Sequence, residues 1–271
     1  MKHRLIIVEG LPGSGKSSTS KYIADYLKDS DENICFVDEG TKNHPADYEF
    51  HGYLSKEELS SFSEEEQDMI LKKATVENNG YIVPLSKMEG KIYDKLLKYK
   101  IYDSLPWDTE KKVMLNKWKK FVEDSDKRMT YIFNCCMLQN SMCETMIRFD
   151  FPYKVSKSYV RSISEIIKEM KPVIFYLKCT DINKRISLVS RERDKKWLDE
   201  VINYHTKGAY GVRNGLENFD GYIACLEERQ KREISILHEL KLESFILIDP
   251  FNDWNQSLNE VRGICDSHQL N

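Results

Sequence analysis

Residues 4–19 constrain this chain more than any other stretch. The apolar run Leu5-Ile6-Ile7-Val8 leads into Glu9-Gly10-Leu11-Pro12-Gly13-Ser14-Gly15-Lys16-Ser17-Ser18, which reads as a strand, a glycine-rich turn and a helix start. Gly10, Gly15, Lys16 and Ser17 fit the pattern G-x-x-x-x-G-K-[ST] without a mismatch, with a strand before it and a helix after it. A loop holds a concentrated anion by turning successive backbone N–H groups inward, and glycines permit that turn. The helix that starts near Lys16 adds its unpaired amides and the positive end of its dipole. Residues 10–18 (Gly10, Leu11, Pro12, Gly13, Ser14, Gly15, Lys16, Ser17 and Ser18) are therefore expected to cradle the phosphates of ATP. Lys16 would reach the β- and γ-phosphates, and the Ser17 hydroxyl would ligate Mg²⁺.

Composition narrows the setting. The 271 residues, 41% of them hydrophobic, suffice for one large α/β domain or a domain with a sizeable insertion. The 41 basic and 44 acidic residues leave a net charge of −3, which gives no general pull toward nucleic acid or an anionic membrane. No segment approaches the length of a membrane span and the N-terminal apolar run is short, so a soluble cytoplasmic protein is expected. The seven cysteines are an odd number without a C-x-x-C pair, which points to reduced thiols.

Along the chain, residues 17–28 continue the first helix, closed by Asp29-Ser30-Asp31. Residues 33–37 form a second strand that runs into Asp38-Glu39-Gly40. Two carboxylates at a strand's C-terminal end lie on the sheet edge where ligands bind in α/β folds. Residues 129–137 read as the third strand, 173–177 as a fourth, and 245–250 as the fifth and its stop. Helices are expected at 155–170, 182–189, 223–240 and 252–265, the third with Ile223, Leu226, Ile234, Leu237 and Leu240 on its apolar side. Residues 41–128 are too long for a loop and read as mostly helical, with a capping box at Ser55-Lys56-Glu57-Glu58 and a short extended piece at 80–85.

The segments Val8 to Ser18 and Phe36-Val37-Asp38-Glu39-Gly40 together resemble the opening of the deoxynucleoside kinase and thymidylate kinase superfamily. The resemblance covers the strand framework, but its specific motifs occupy only about a tenth of the chain. It implies a P-loop NTPase fold: a doubly wound, three-layer α/β sandwich with a five-stranded, mostly parallel sheet in the order 2-3-1-4-5 and a helical insertion. It implies a single kinase domain over residues 1–271, with 41–128 building the acceptor pocket and 190–221 a lid. Asp38 or Glu39 would take the acceptor proton or orient its hydroxyl. Arg191 or Arg193, after the fourth strand's helix, would close on the transferring phosphoryl group.

His44, Asp47, Tyr48, His51 and Tyr53 follow the carboxylates and are suited to a ring or a hydroxyl-rich acceptor, or are ordinary residues of the insertion. Gln139 and Asn140 either meet the acceptor's polar edge or cap a helix. The acid that often ends the third strand is missing, with Asn134 in its place, so Mg²⁺ would rest on Ser17, the phosphates, water and Asp38 or Glu9. Glycines within 207–221 suit a mobile cover or a plain connection; the resemblance implies that residues 249–253 lie near the nucleotide base, the alternative being an ordinary connection.

The expected activity is transfer of the γ-phosphoryl of Mg·ATP to a nucleoside- or nucleotide-like small molecule. An antibiotic or other secondary metabolite fits the same residues. A nucleotide-dependent switch is the reading from a different class, although no N-K-x-D stands where a guanine reader would. Expected partners are the small-molecule acceptor and, as an option, a second copy of the chain. Nucleic acid and membrane are not among them.

Overall fold

The computed structural model describes residues 3–29, 33–77, 79–268 and 270, and divides them into two units, one of Met1–Glu39 with Ser125–Asn271 and one of Gly40–Asp124. Ser30 and Asp31, expected to close the first helix, lie outside the described residues.

The first unit begins with β1 (Leu5–Gly10), buried at every residue, then α1 (Lys16–Lys28) and β2 (Ile34–Val37). The second unit holds β3 (His51–Ser55), α2 (Lys56–Ser60), α3 (Glu64–Leu71), β4 (Thr75–Glu77), β5 (Gly80–Pro84), α4 (Gly90–Leu96), a bent turn α5 (Ile101–Ser104) and α6 (Trp107–Asp124). The first unit resumes with β6 (Thr130–Asn134), α7 (Leu138–Met142), a π-helical turn (Cys143–Arg148), α8 (Tyr153–Ile167) and β7 (Pro172–Lys178). It closes with α9 (Ile182–Glu192), α10 (Lys195–Lys207), α11 (Ala209–Arg213), α12 (Asn218–Leu240), β8 (Ser244–Ile248) and α13 (Trp254–Ser267).

In the first unit the sheet runs β2-β6-β1-β7-β8. Counted in chain order within that sheet this is 2-3-1-4-5, parallel at every pairing, from Leu5 opposite Tyr131 and Pro172 to Ile174 opposite Ser244. Continuous apolar runs suit β1 and β7 because a central parallel strand is covered on both faces. Alternation along β7 separates those faces. Phe175 packs with Ile6, Val8, Ile23, Leu27, Leu247 and Val261 under α1 and α13, while the next residue, Tyr176, points to α12. The helices thus lie on both sides of a parallel sheet.

The second unit differs from the mostly helical expectation. It contains an antiparallel sheet in the order β3-β5-β4, with His51 opposite Pro84 and Thr75 opposite Ile82. Leu54 and Val83 of this sheet pack on Leu59, Phe62, Ile70, Leu85 and Leu96, so its strands bury one face against their own helices. The expected capping box forms, with Glu58 N–H donating to Ser55 Oγ at 3.1 Å and Ser55 N–H to Glu58 at 2.7 Å, and Ser63 and Glu66 repeat it. Among the described residues no helix is long and apolar enough to cross a membrane, and none of the seven cysteines is in a disulfide.

Residues 190–221 are mostly helical and largely exposed, running from the end of α9 through α10 and α11. A Cβ at Gly208 would come within 2.5 Å of the Ile147 carbonyl, so this glycine serves the close approach of two chain segments.

Phe175 is fully buried between the sheet and its helices. Phe175→Ala is expected to cost about 3–5 kcal/mol. The check is the urea unfolding midpoint against the parent protein.

Candidate functional site

β1 ends at Gly10, whose φ of +150° begins the loop; Gly13 (+76°) and Gly15 (+100°) continue it into α1. An added Cβ at Gly13 would lie 2.3 Å from Val189 Cγ2, so α9 rests directly on the loop. Lys16 is buried, and its Nζ donates to the carbonyls of Gly10 at 3.2 Å and Leu11 at 3.3 Å. Ser14 Oγ is buried and, among the described residues, without a hydrogen-bond partner. A polar cradle with a buried ammonium and an unsatisfied hydroxyl fits an incoming phosphate.

Beside the loop, one amide ties the hydroxyl to the acids. Asn134 Nδ2 donates to Ser17 Oγ at 3.1 Å and to Asp38 Oδ1 at 2.7 Å. Asp38 also accepts from the Glu39 amide at 2.9 Å, and Glu39 Oε1 accepts from Gln139 Nε2 at 2.6 Å. The two exposed carboxylates at the end of β2 are thereby linked to the residues that follow β6. Ser17 Oγ and Asp38 Oδ1 are hard oxygen donors around one amide, a set that suits Mg²⁺ when phosphate oxygens and water complete its shell.

Glu9, named above as a possible Mg²⁺ ligand, faces the opposite way. It is fully buried and accepts from the amides of Leu138 at 2.7 Å and Gln139 at 3.2 Å, at the start of α7. The chain reaches that position through Cys135 (φ +64°) and Cys136 (φ +89°), two left-handed residues outside glycine. Such residues cost about 1–3 kcal/mol each. The turn aims the amides of Leu138 and Gln139 at Glu9, and it leaves Gln139's side chain with Glu39. Gln139 thus lies inside α7 rather than capping it, its amide on Glu9 and its side chain on Glu39.

The most heavily buried charges lie beneath the loop. Arg229 on α12 donates to Glu233 Oε1 at 2.7 Å, to the Gly10 carbonyl at 3.5 Å and to Gln139 Oε1 at 3.4 Å. Tyr176 donates to Glu233 Oε2 at 2.6 Å. Burial opposes the charge on Arg229, but Glu233 overcomes it and holds the guanidinium protonated. Burial raises Glu9 to a pKa of about 7, with Glu233 pushing the same way and the Leu138 amide opposing.

The sequence reading missed this cluster because it assigned Ile234 and Leu240 to the apolar side of α12, where both are only half-buried. Ile223, Leu226 and Leu237 are buried as expected, and the buried side of α12 also carries Tyr222, Arg229, Glu233 and Ile236. Those spacings are helical, so the signal was an Arg–Glu pair in phase with buried apolar residues.

A second missed residue is Arg185, whose Nε donates to the Gly13 carbonyl at 2.6 Å and whose guanidinium stacks 4.2 Å from the Phe251 ring. Arg191 and Arg193 are exposed at the end of α9, Arg193 lying 4.6 Å over Trp197. Of these three arginines, α9 brings Arg185 to the loop, because Val189 and Arg185 share the helix face that meets Gly13. Arg185, Phe251 and Asp249 also line a cavity of about 130 Å³, where residues near the nucleotide base were expected. Asn140 lies half-buried in α7. His44 and Tyr48 belong to the second unit and line a cavity there.

Glu9 binds its proton more tightly in the native state than an unfolded glutamate near 4.5 does, so stability falls as pH rises from about 4.5 to 7. Glu9→Gln removes that slope. Relative to the parent, the variant is expected to gain about 3 kcal/mol across the window. Urea unfolding at a series of pH values checks it, and parallel curves for the two proteins would refute the buried-acid assignment.

No protein-family model matches the chain, and no curated protein matches it. Solved structures similar to it include two thymidylate kinases. A thymidylate kinase from Ehrlichia chaffeensis shares 10% identity over 97% of this chain and 99% of that one, with a TM-score of 0.47. A thymidylate kinase from Candida albicans shares 12% identity over 99% of this chain and 93% of that one, with a TM-score of 0.44. The fold assignment rests on the strand order and loop geometry of the chain itself.

Proposed function

We propose that this chain is an ATP-dependent phosphotransferase that moves the γ-phosphoryl of Mg·ATP to a hydroxyl or phosphate of a nucleoside- or nucleotide-like small molecule. The observation that carries this reading is the Asn134 bridge, which joins the loop hydroxyl of Ser17 to the Asp38–Glu39 pair in one hydrogen-bonded network. With Asp38 on the loop hydroxyl's network, Glu39 is left beside it as a carboxylate that can receive or orient an acceptor hydroxyl.

Residues 10–18 hold the phosphates through backbone amides, and Lys16 leaves the carbonyls of Gly10 and Leu11 to meet them. Ser17 and Asp38 would hold Mg²⁺, which would supply neutralisation of the phosphate charge. Glu39, or Asp38, accepts the proton of the acceptor hydroxyl, and Gln139 orients Glu39 from its far side while presenting a polar edge to the acceptor, with Asn140 on the same helix. Arg185, on the Gly13 carbonyl, supplies a further cation at the loop; Arg191 at the end of α9 and Arg193 just beyond it are exposed and would act only after moving inward. Phe251 and Arg185 offer a flat face to the nucleotide base.

Lys16→Ala is expected to lower turnover about 100-fold or more with the fold unchanged by circular dichroism. Glu39→Gln is expected to slow transfer about 100-fold while sparing ATP affinity. An unchanged transfer rate in Glu39→Gln, but not in Asp38→Asn, moves the base to Asp38. The decisive assay is ADP release with Mg²⁺ against nucleosides, nucleoside monophosphates and hydroxyl-rich antibiotics, with an acceptor-free control. Release that depends on one acceptor class supports transfer and names that class. Release indifferent to every acceptor overturns it in favour of a switch.

A further inference from the structure

The second unit contains a cavity of about 250 Å³ lined by Lys73, Lys87, Lys117 and Lys120 but by only one carboxylate, Glu77. Glu77 is buried and pairs with Lys120, which leaves the remaining three ammonium groups in excess. Lys117 and Lys120 project from one face of α6, and Lys117 Nζ stands 4.4 Å over the Tyr48 ring. Lys73 Nζ is held on the Lys87 carbonyl at 2.6 Å, which brings both side chains to one rim. The floor carries His44 and His51. Ala46 N–H donates to His44 Nδ1 at 3.1 Å, so the neutral ring bears its proton on Nε2. His51 Nδ1 is buried and has no hydrogen-bond partner among the described residues.

From this arrangement we propose that the insertion has a binding pocket of its own for a phosphate group, formed by Lys73, Lys87, Lys117 and Lys120 with His44 and His51. Lys73 and Lys87 are exposed at the rim, whereas Lys117 and Lys120 are half-buried. Burial, with Lys120, lowers Lys117 against the pull of Glu77, Asp47 and Asp124, and burial followed by the charge of Lys117 lowers both imidazoles to about 4. The four lysines outnumber the one carboxylate that lines the cavity, and an anion relieves half-buried charge that is in excess. The imidazoles, kept neutral, serve as hydrogen-bonding groups rather than as added charges. Compact ammonium groups around a small polar cavity suit a doubly charged, many-oxygened phosphate better than a singly charged, two-oxygened carboxylate.

The pocket is argued from residues of the second unit alone and does not rest on the phosphotransfer reading. The test uses the full-length chain carrying Lys16→Ala, to weaken phosphate binding at the loop, and follows the ring proton signals of its six histidines by NMR. Inorganic phosphate is titrated at constant ionic strength, with acetate in parallel. The signals of His44 and His51 are expected to shift saturably with phosphate and not with acetate. Lys87→Gln, an exposed position, and Lys117→Gln are each expected to weaken binding about tenfold, with the other four histidine signals reporting an intact fold. Absent or unsaturable shifts, an equal response to acetate, or unchanged affinity in both lysine variants would overturn the proposal. None of those outcomes bears on ADP release.

Discussion

The buried ionic cluster beneath the phosphate loop is the constraint on which the first unit depends. Arg229, Glu233, Glu9 and Tyr176 come from α12, β1 and β7, and each is fully or almost fully buried. Removing one partner from such a cluster leaves a charge without compensation in a medium that screens it poorly, so its members must be placed together or not at all. Through Glu9 the cluster fixes the first amides of α7. Through Arg229 it touches the Gly10 carbonyl and Gln139, and so reaches both the loop and the carboxylate that Gln139 holds. The site is thus organised from below, by groups that no phosphate would touch.

The same economy governs the sides of the site. A single helix, α9, lays Val189 on Gly13 and Arg185 on the Gly13 carbonyl, so one packing event shapes the loop and supplies a cation. Asn134 stands where an acid is common at the end of the third strand. Its amide bridges Ser17 and Asp38, which moves the negative charge from β6 to β2 while keeping it in the same network. The departure that looked like a loss in the sequence is therefore a relocation of charge.

The second unit follows a separate logic. Its sheet and helices bury their own core, and its polar cavity gathers positive charge around histidines that are kept neutral. Its strands escaped the sequence reading because His51–Ser55 and Thr75–Glu77 are short and polar enough to pass for loop. Only Gly80–Pro84, a run of β-favouring residues, showed as extended, and a strand's pairing partners are not written in its own residues.

What the sequence determined by itself is what physics decides locally. The phosphate loop is built from the backbone of consecutive residues, the central strands from unbroken apolar runs, and the helix starts from capping pairs three residues apart; each is legible without knowing what lies across the molecule. Asp38 and Glu39 were legible as acids at a strand end for the same reason. What only the tertiary structure decided is which distant groups meet them. Arg229 is 219 residues from the carbonyl it touches, and Gln139 is 100 from Glu39. In one dimension a buried arginine on a helix is indistinguishable from a solvated one, because burial is a property of the packed neighbours and not of the residue. The sequence named the chemistry of the loop, and the packing of α9 and α12 against it chose the charges that surround it.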